Sequence, residues 1–102
     1  MENNETMYCV YEGFDSQYFG LTKYLITICS SLEEAEKLSE KLYNRFRDTL
    51  PKSVEKVEFK DLKRTISKQD NSIFYEFNLL EIDYFINLKK FEFGQIIEQK
   101  IL

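Results

Sequence analysis

Hydrophobic positions along this chain first alternate, then fall at steps of three and four, then alternate again. Residues 6–12, Thr-Met-Tyr-Cys-Val-Tyr-Glu, are β-branched and aromatic and are followed by Gly13, which predicts a strand. Asp15, Ser16 and Gln17 stand between Gly13 and Gly20, so 13–20 reads as a loop. Residues 21–29 predict a second strand, with Tyr24, Ile26 and Ile28 on one face and Lys23, Leu25, Thr27 and Cys29 on the other. Two strands joined by a short loop form an antiparallel hairpin.

The period then changes. Leu32, Ala35, Leu38, Leu42, Tyr43, Phe46 and Leu50 draw one stripe along a helix of about five turns. Ser31 caps it, and Glu34 three residues later completes a capping box. Glu36, Lys37, Glu40, Lys41, Arg45 and Arg47 form its wet face, and Pro51 ends it.

Alternation returns in 52–67, where Val57 and Phe59 share one parity and Leu62, Arg64 and Ile66 the other. That switch calls for a bulge near Lys60-Asp61. Lys68 to Ser72 reads as a turn, and 73–82 as a strand that continues through Asp83 towards Leu88. Phe91 and Phe93 flank Glu92 in strand fashion, whereas Ile96, Ile97 and Ile101 fit a short helix; the last stretch reads either way. The expected fold is α+β: an antiparallel sheet of four to five strands with one long amphipathic helix, about 32–50, packed on one face. The whole of 1–102 is expected to be one domain, with residues 1–5 frayed.

Composition narrows the chemistry. The 102 residues are 43% hydrophobic and 16% aromatic, which argues against disorder. No run of about 18 apolar residues is present to span a membrane. Met1-Glu2-Asn3-Asn4-Glu5 lacks the basic and apolar regions of a signal peptide. A cytoplasmic protein is expected. Histidine is absent, which removes the commonest general base and metal ligand. Cys9 and Cys29 are too few for a four-ligand zinc site and read as reduced core thiols. They would meet in a disulfide only if the two strands brought them together. Gly13, Gly20 and Gly94 make no phosphate-binding loop. No cofactor, metal or catalytic residue is expected. Glu81 and Asp83, on one face of a continuous strand, are the best local carboxylate pair and read more simply as a solvated face.

The start of the chain, Tyr8-Cys9-Val10-Tyr11-Glu12-Gly13, a polar loop, a second strand and then Ser30-Ser31-Leu32-Glu33-Glu34-Ala35-Glu36-Lys37, resembles small phage and mobile-element proteins. The resemblance covers roughly residues 7–50. It implies a compact phage-type accessory protein, and by class analogy an inhibitor of host defence of the anti-CRISPR kind. It carries no catalytic residues.

Charge is segregated along the chain. Net charge is −4 and the isoelectric point about 4.9. Residues 1–36 hold seven acids against one base; residues 37–68 hold ten bases against five acids. Lys52, Lys56, Lys60, Arg64 and Lys68 recur at a step of four, which makes a basic stripe on a strand or a helix. An acidic chain repels phosphate, so nucleic acid is the second choice of partner. The first choice is a protein, itself able to bind nucleic acid, whose Lys and Arg would attract Glu12, Asp15, Glu33, Glu34 and Glu36. Tyr18 and Phe19 in the first loop add an aromatic pair suited to a binding hot spot. The expected function is therefore non-catalytic binding of another macromolecule, with inhibition of a defence nuclease as its specific form. Exposed sheet edges also allow a homo-oligomer.

Overall fold

A computed structural model describes residues 6–92 of the protein. Strands β1 (Thr6–Ser16) and β2 (Gly20–Cys29) form the first hairpin and lead into α1 (Leu32–Asp48). A 3-10 turn (Phe59–Asp61) precedes β3 (Lys63–Ser67), β4 (Ser72–Asn78) and β5 (Ile82–Glu92). The five strands make one antiparallel sheet in the order β2-β1-β5-β4-β3, so β5 sits at the centre. One helix packs against one face, as expected. No helix among the described residues is long and apolar enough to cross a membrane.

The helix follows its sequence signals closely. Ser31 Oγ accepts from the Glu34 amide at 3.2 Å, and Glu34 Oε1 accepts from the Ser31 hydroxyl, so the first turn is capped. Ala35, Leu42 and Tyr43 are buried against the sheet, and Leu38 and Phe46 are half-buried. Ser39 is buried as well, which the apolar stripe did not foretell. Its hydroxyl donates to the Ala35 carbonyl at 2.7 Å. A small, locally satisfied side chain thus lets the helix lie close to the strands.

An aromatic cluster fills the space between helix and sheet. Tyr43 reaches Phe77, Tyr84 and Phe59 at 6.0–6.1 Å between ring centroids. Phe14 and Phe46 also close on Tyr84. Val10, Ile86 and Leu88 complete the buried floor. Each such side chain, fully buried, contributes about 1.5–3 kcal/mol of transfer free energy.

Several elements depart from the sequence reading. β1 runs through Gly13 to Ser16, where a loop was expected. A Cβ at Gly13 would lie 2.3 Å from the Thr22 carbonyl oxygen and 2.5 Å from the tip of the Phe85 ring. Gly13 therefore serves close packing inside a strand instead of opening a turn. The turn is shorter, and Gly20 at φ +76° ends it.

In β2 a bulge intervenes. Val10 pairs with Thr27 but Tyr11 with Leu25, leaving Ile26 as the extra residue. The faces predicted for β2 therefore hold on neither side throughout. Tyr24 pairs with Glu12, and Cys29 with Tyr8, on the helix side; Leu25 and Ile28, opposite Tyr11 and Cys9, lie on the far side. Cys9 and Cys29 thus point to opposite faces of neighbouring strands, which rules out a disulfide between them. Cys9 is buried, but Cys29 is only half-buried.

Residues 52–58 form no strand, and the 3-10 turn stands where a bulge was expected. The segment is held instead by the Tyr43 hydroxyl, which donates to the Val57 carbonyl, and by the Arg47–Glu58 ion pair at 2.7 Å. Residues 73–88 are two strands, not one, broken by a tight turn at Leu79-Leu80-Glu81 in which the Leu79 amide donates to the Ile82 carbonyl at 2.9 Å. Phe91 lies in β5, so up to Glu92 the stretch left open between strand and helix is strand. The readings for 1–5 and for Phe93 onward lie outside the described residues.

Candidate functional site

Two turns meet at one end of the sheet. The β1–β2 turn is organised by Ser16, whose hydroxyl oxygen accepts from the Tyr18 and Phe19 amides at 3.1 and 3.3 Å, a local side-chain turn. Beside it lies the β4–β5 turn, because Ser16 pairs with Ile82 across the β1–β5 ladder. The Gln17 amide donates to the Glu81 carbonyl at 3.4 Å, and the Tyr18 hydroxyl approaches Glu81 Oε1 at 3.5 Å. The pairing sets three large apolar side chains in water at this end. Tyr18 is 68% exposed, Phe19 88% and Leu80 100%. A core of this size has no need to place them there, and grouped exposed apolar side chains mark interaction surfaces.

Acids surround the tip. Asp15 faces Asp83 across the β1–β5 ladder, and Glu81 lies in the turn. The Asn78 amide donates to Asp83 Oδ1 at 2.8 Å. On the far face Asp15, Asp83 and Glu76 edge a shallow depression floored by Phe85 and Phe74, with Lys23 as its base. On the helix side an apolar groove runs between Leu50, Pro51 and Val54 and the β4–β5 turn at Leu79 and Ile82. The tip thus carries exposed Tyr18, Phe19 and Leu80 on two adjoining turns with Asp15, Glu81 and Asp83 close by in the chain.

The structure does not gather the predicted acidic set. Asp15, Tyr18 and Phe19 lie at the tip. Glu33 and Glu34 lie where α1 starts, beyond the other end of the ten-residue β2, about 30 Å away along a strand of that length. Glu34 Oε1 accepts from the hydroxyls of Ser30 and Ser31, and Glu33 pairs with Lys37 at 4.0 Å. Glu12 is half-buried on the helix side and accepts a hydrogen bond from Tyr84. Burial, reinforced by that carboxylate, holds the Tyr84 phenol far above its usual pKa. Glu36 Oε2 accepts from the Tyr75 hydroxyl at 2.8 Å and lies 3.7 Å from Arg64. These residues mostly hold the fold together.

Nor do the basic residues form the stripe their spacing suggested. Lys52 lies in a turn, Lys56 in irregular chain, Lys60 in the 3-10 turn, Arg64 in β3 and Lys68 in the next turn. A step of four shares a face only within one regular element, and none spans them. Arg64 donates to the Tyr75 hydroxyl at 3.2 Å and pairs with Glu36 over the sheet.

Glu81 and Asp83 belong to a turn and a strand, so they are not the same-face pair of a continuous strand. Burial raises the Cys9 thiol above its usual pKa; it also raises Cys29, with Glu34 adding to it. Neither is an activated nucleophile. Among the described residues no three His, Cys, Asp or Glu side chains cluster as metal ligands would.

The turn at Leu80, Glu81 and Ile82 escaped the sequence reading, which ran a strand through it, because no glycine or proline marks it. One signal was present: Ile73, Tyr75 and Phe77 are odd-numbered, and Tyr84, Ile86 and Leu88 even-numbered. Two stripes of opposite parity that both face the helix require a break between them. No protein-family model, no curated protein and no solved structure matches the chain.

Proposed function

We propose that the chain is a non-catalytic binding protein that engages a protein partner through the tip formed by the β1–β2 and β4–β5 turns. The observation that carries this reading is the grouping of Tyr18, Phe19 and Leu80, all well exposed, on two adjoining turns with acids close by in the chain. Aromatic side chains on a rigid scaffold bind at low entropic expense. Asp15, Glu81 and Asp83 favour a partner with Lys or Arg around an apolar pocket. A groove that binds nucleic acid has that character. Inhibition of a host-defence nuclease is the specific form of the proposal, and it rests on the resemblance of residues 7–50 to small phage proteins.

The test is capture of a partner from bacterial lysate, with and without nuclease treatment, by the wild type and by the Phe19→Ser/Leu80→Ser variant. A nuclease-resistant partner lost in the variant, with an unchanged melting curve, is the expected result. Binding to DNA or RNA near physiological salt that survives the tip variant but is lost in Lys56→Glu/Lys60→Glu would overturn it.

A further inference from the structure

The end of the sheet away from the tip carries a separate concavity on the helix side. The strand registers lay an apolar row across it: Ile66 pairs with Ile73, and Ile73 with Leu88. Beyond that row stand Tyr8 and Lys90, a cross-strand pair of the same face. The turn between β3 and β4 is tied to them, because the Asn71 carbonyl accepts from the Lys90 amide at 2.8 Å and the Lys68 carbonyl from the Asn71 amide at 3.4 Å. With Leu32 from the first turn of α1, these residues line a pocket of about 480 Å³, within the roughly 300–1,000 Å³ of small-molecule sites. The helix packs chiefly on β1, β2 and β5 and leaves this corner open. Leu88 on the floor is 1% exposed, whereas Ile66 at the β3 side is 56% exposed.

The outer side of the pocket is cationic. Of the described residues that line it, Lys68 and Lys90 alone are charged. Among the described residues neither ammonium is paired with an acid, and the Tyr8 hydroxyl has no hydrogen-bond partner. Neighbouring acids are engaged with other groups. Asp70 Oδ2 accepts from the Ser67 hydroxyl at 3.4 Å, and Glu36 binds Tyr75 and Arg64. Glu92, two residues beyond Lys90, does not line the pocket.

We infer that this pocket binds a small amphipathic anion, a carboxylate on an apolar body of the fatty-acid kind. The body lies on Leu32, Ile66, Ile73 and Leu88, and the head meets Lys68 and Lys90. This goes beyond the partner surface at the tip and involves none of its residues. The order of the two rows selects the class of ligand. An ammonium donates charge-assisted hydrogen bonds to a carboxylate, and the apolar row beside it takes an alkyl chain. A bare inorganic anion would leave the apolar row in water. A neutral apolar molecule would make no use of the two charges, and a cation would be repelled by them. A nucleic acid strand has no aliphatic end to place on Ile73 and Leu88.

Octanoate, kept below its micelle concentration, tests the inference in methyl and amide NMR spectra of the full chain. It is expected to shift the methyl signals of Leu32, Ile66, Ile73 and Leu88 in a saturable way. Octanol and acetate, which each keep one end of the ligand, are expected to bind at least about tenfold more weakly. That comparison is made on the wild type and stands even if a variant does not fold. Lys68→Gln/Lys90→Gln and, separately, Ile66→Asp change exposed side chains. Both are expected to weaken octanoate at least about tenfold with unchanged melting curves. Phe19→Ser/Leu80→Ser is expected to leave octanoate binding unchanged, which separates this inference from the reading of the tip. Absence of saturable shifts at millimolar octanoate, shifts centred on other residues, octanol binding as tightly as octanoate, or a folded lysine variant of undiminished affinity would each overturn it. So would an acidic, leucine-rich peptide that displaces octanoate at lower concentration, since that would give the pocket to a protein segment.

Discussion

The ring of Phe46 lies flat against that of Tyr84, 4.0 Å between centroids and 5° from parallel. With the Tyr43–Tyr84 contact, it joins the last turns of α1 to the central strand. Phe46 also touches Phe14 and Phe77 edge-on, so one side chain joins the helix to β1, β4 and β5. Phe46→Ala is expected to destabilise the protein by about 3 kcal/mol, the lower end for aromatic truncation because Phe46 is only half-buried. Urea unfolding gives the value, and a loss below about 1 kcal/mol, no more than an average surface or core change, would show that the stack contributes little.

Gly13→Ala is expected to destabilise by about 1–3 kcal/mol, the usual cost of overpacking. Trimming the neighbour in Gly13→Ala/Phe85→Leu relieves the contact with the ring but not the one with the Thr22 carbonyl, which is backbone. The double variant is therefore expected to remain below Phe85→Leu alone in thermal melts. Equal melting temperatures for those two would contradict the close approach.

Stability should fall at alkaline pH, and Tyr84 should account for part of the fall. Its phenol is fully buried and its pKa raised by burial and by Glu12. The native state then holds a proton that the unfolded chain releases above about pH 10. Stability from this group is complete below that pH and is lost progressively above it. Tyr11, Tyr43 and Tyr75 are shifted upward chiefly by burial and act in the same sense. Tyr84→Phe should make the decline shallower without abolishing it. It should also lower stability at neutral pH by about 1–3 kcal/mol, because Glu12 loses its donor. Unfolding free energies measured from pH 7 upward check both parts; an unchanged alkaline slope would exclude Tyr84 as a contributor.

Thiol labelling should distinguish the two cysteines. Cys29, half-buried at the end of β2, is expected to react before Cys9, which is buried on the opposite face. Mild oxidation should not link them within one chain. Mass spectrometry of native protein reads both outcomes, and an intramolecular disulfide would mean the β1–β2 register is wrong.

Local signals carried much of this fold, and longer-range geometry carried the rest. Ser31 and Glu34 announce the helix because capping depends on residues three apart, and Leu42 and Tyr43 mark its buried face for the same reason. Gly13 misled because a glycine that opens a turn and one that admits a ring from β5 look alike in sequence. The Ile26 bulge exists only in relation to β1, so alternation within β2 alone misassigned Tyr24 and Cys29. At the tip, Tyr18 and Phe19 stood between two glycines and were readable as exposed. Their neighbour Leu80 was hidden in an apolar run, since its exposure depends on a turn that no residue type announces. The step-of-four spacing from Lys52 to Lys68 had meaning only on a regular element, and the chain there changes conformation every few residues.

The central place of β5 bears on how the protein is made. β1 and β4 both pair with β5, yet β5 is synthesised after them. Until residues 82–92 have left the ribosome, the nascent chain holds a β1–β2 hairpin and a β3–β4 hairpin with nothing to join them, and isolated hairpins are marginal in water. The rings of Phe14, Phe46 and Phe77 have no Tyr84 to gather around. The β1–β5 ladder ties residues some 66 to 86 positions apart, and closure across such separations is slow. Folding is therefore a late event for this chain, and a nascent chain stalled before β5 would expose two inner strand edges and the aromatic cluster to chaperones and proteases.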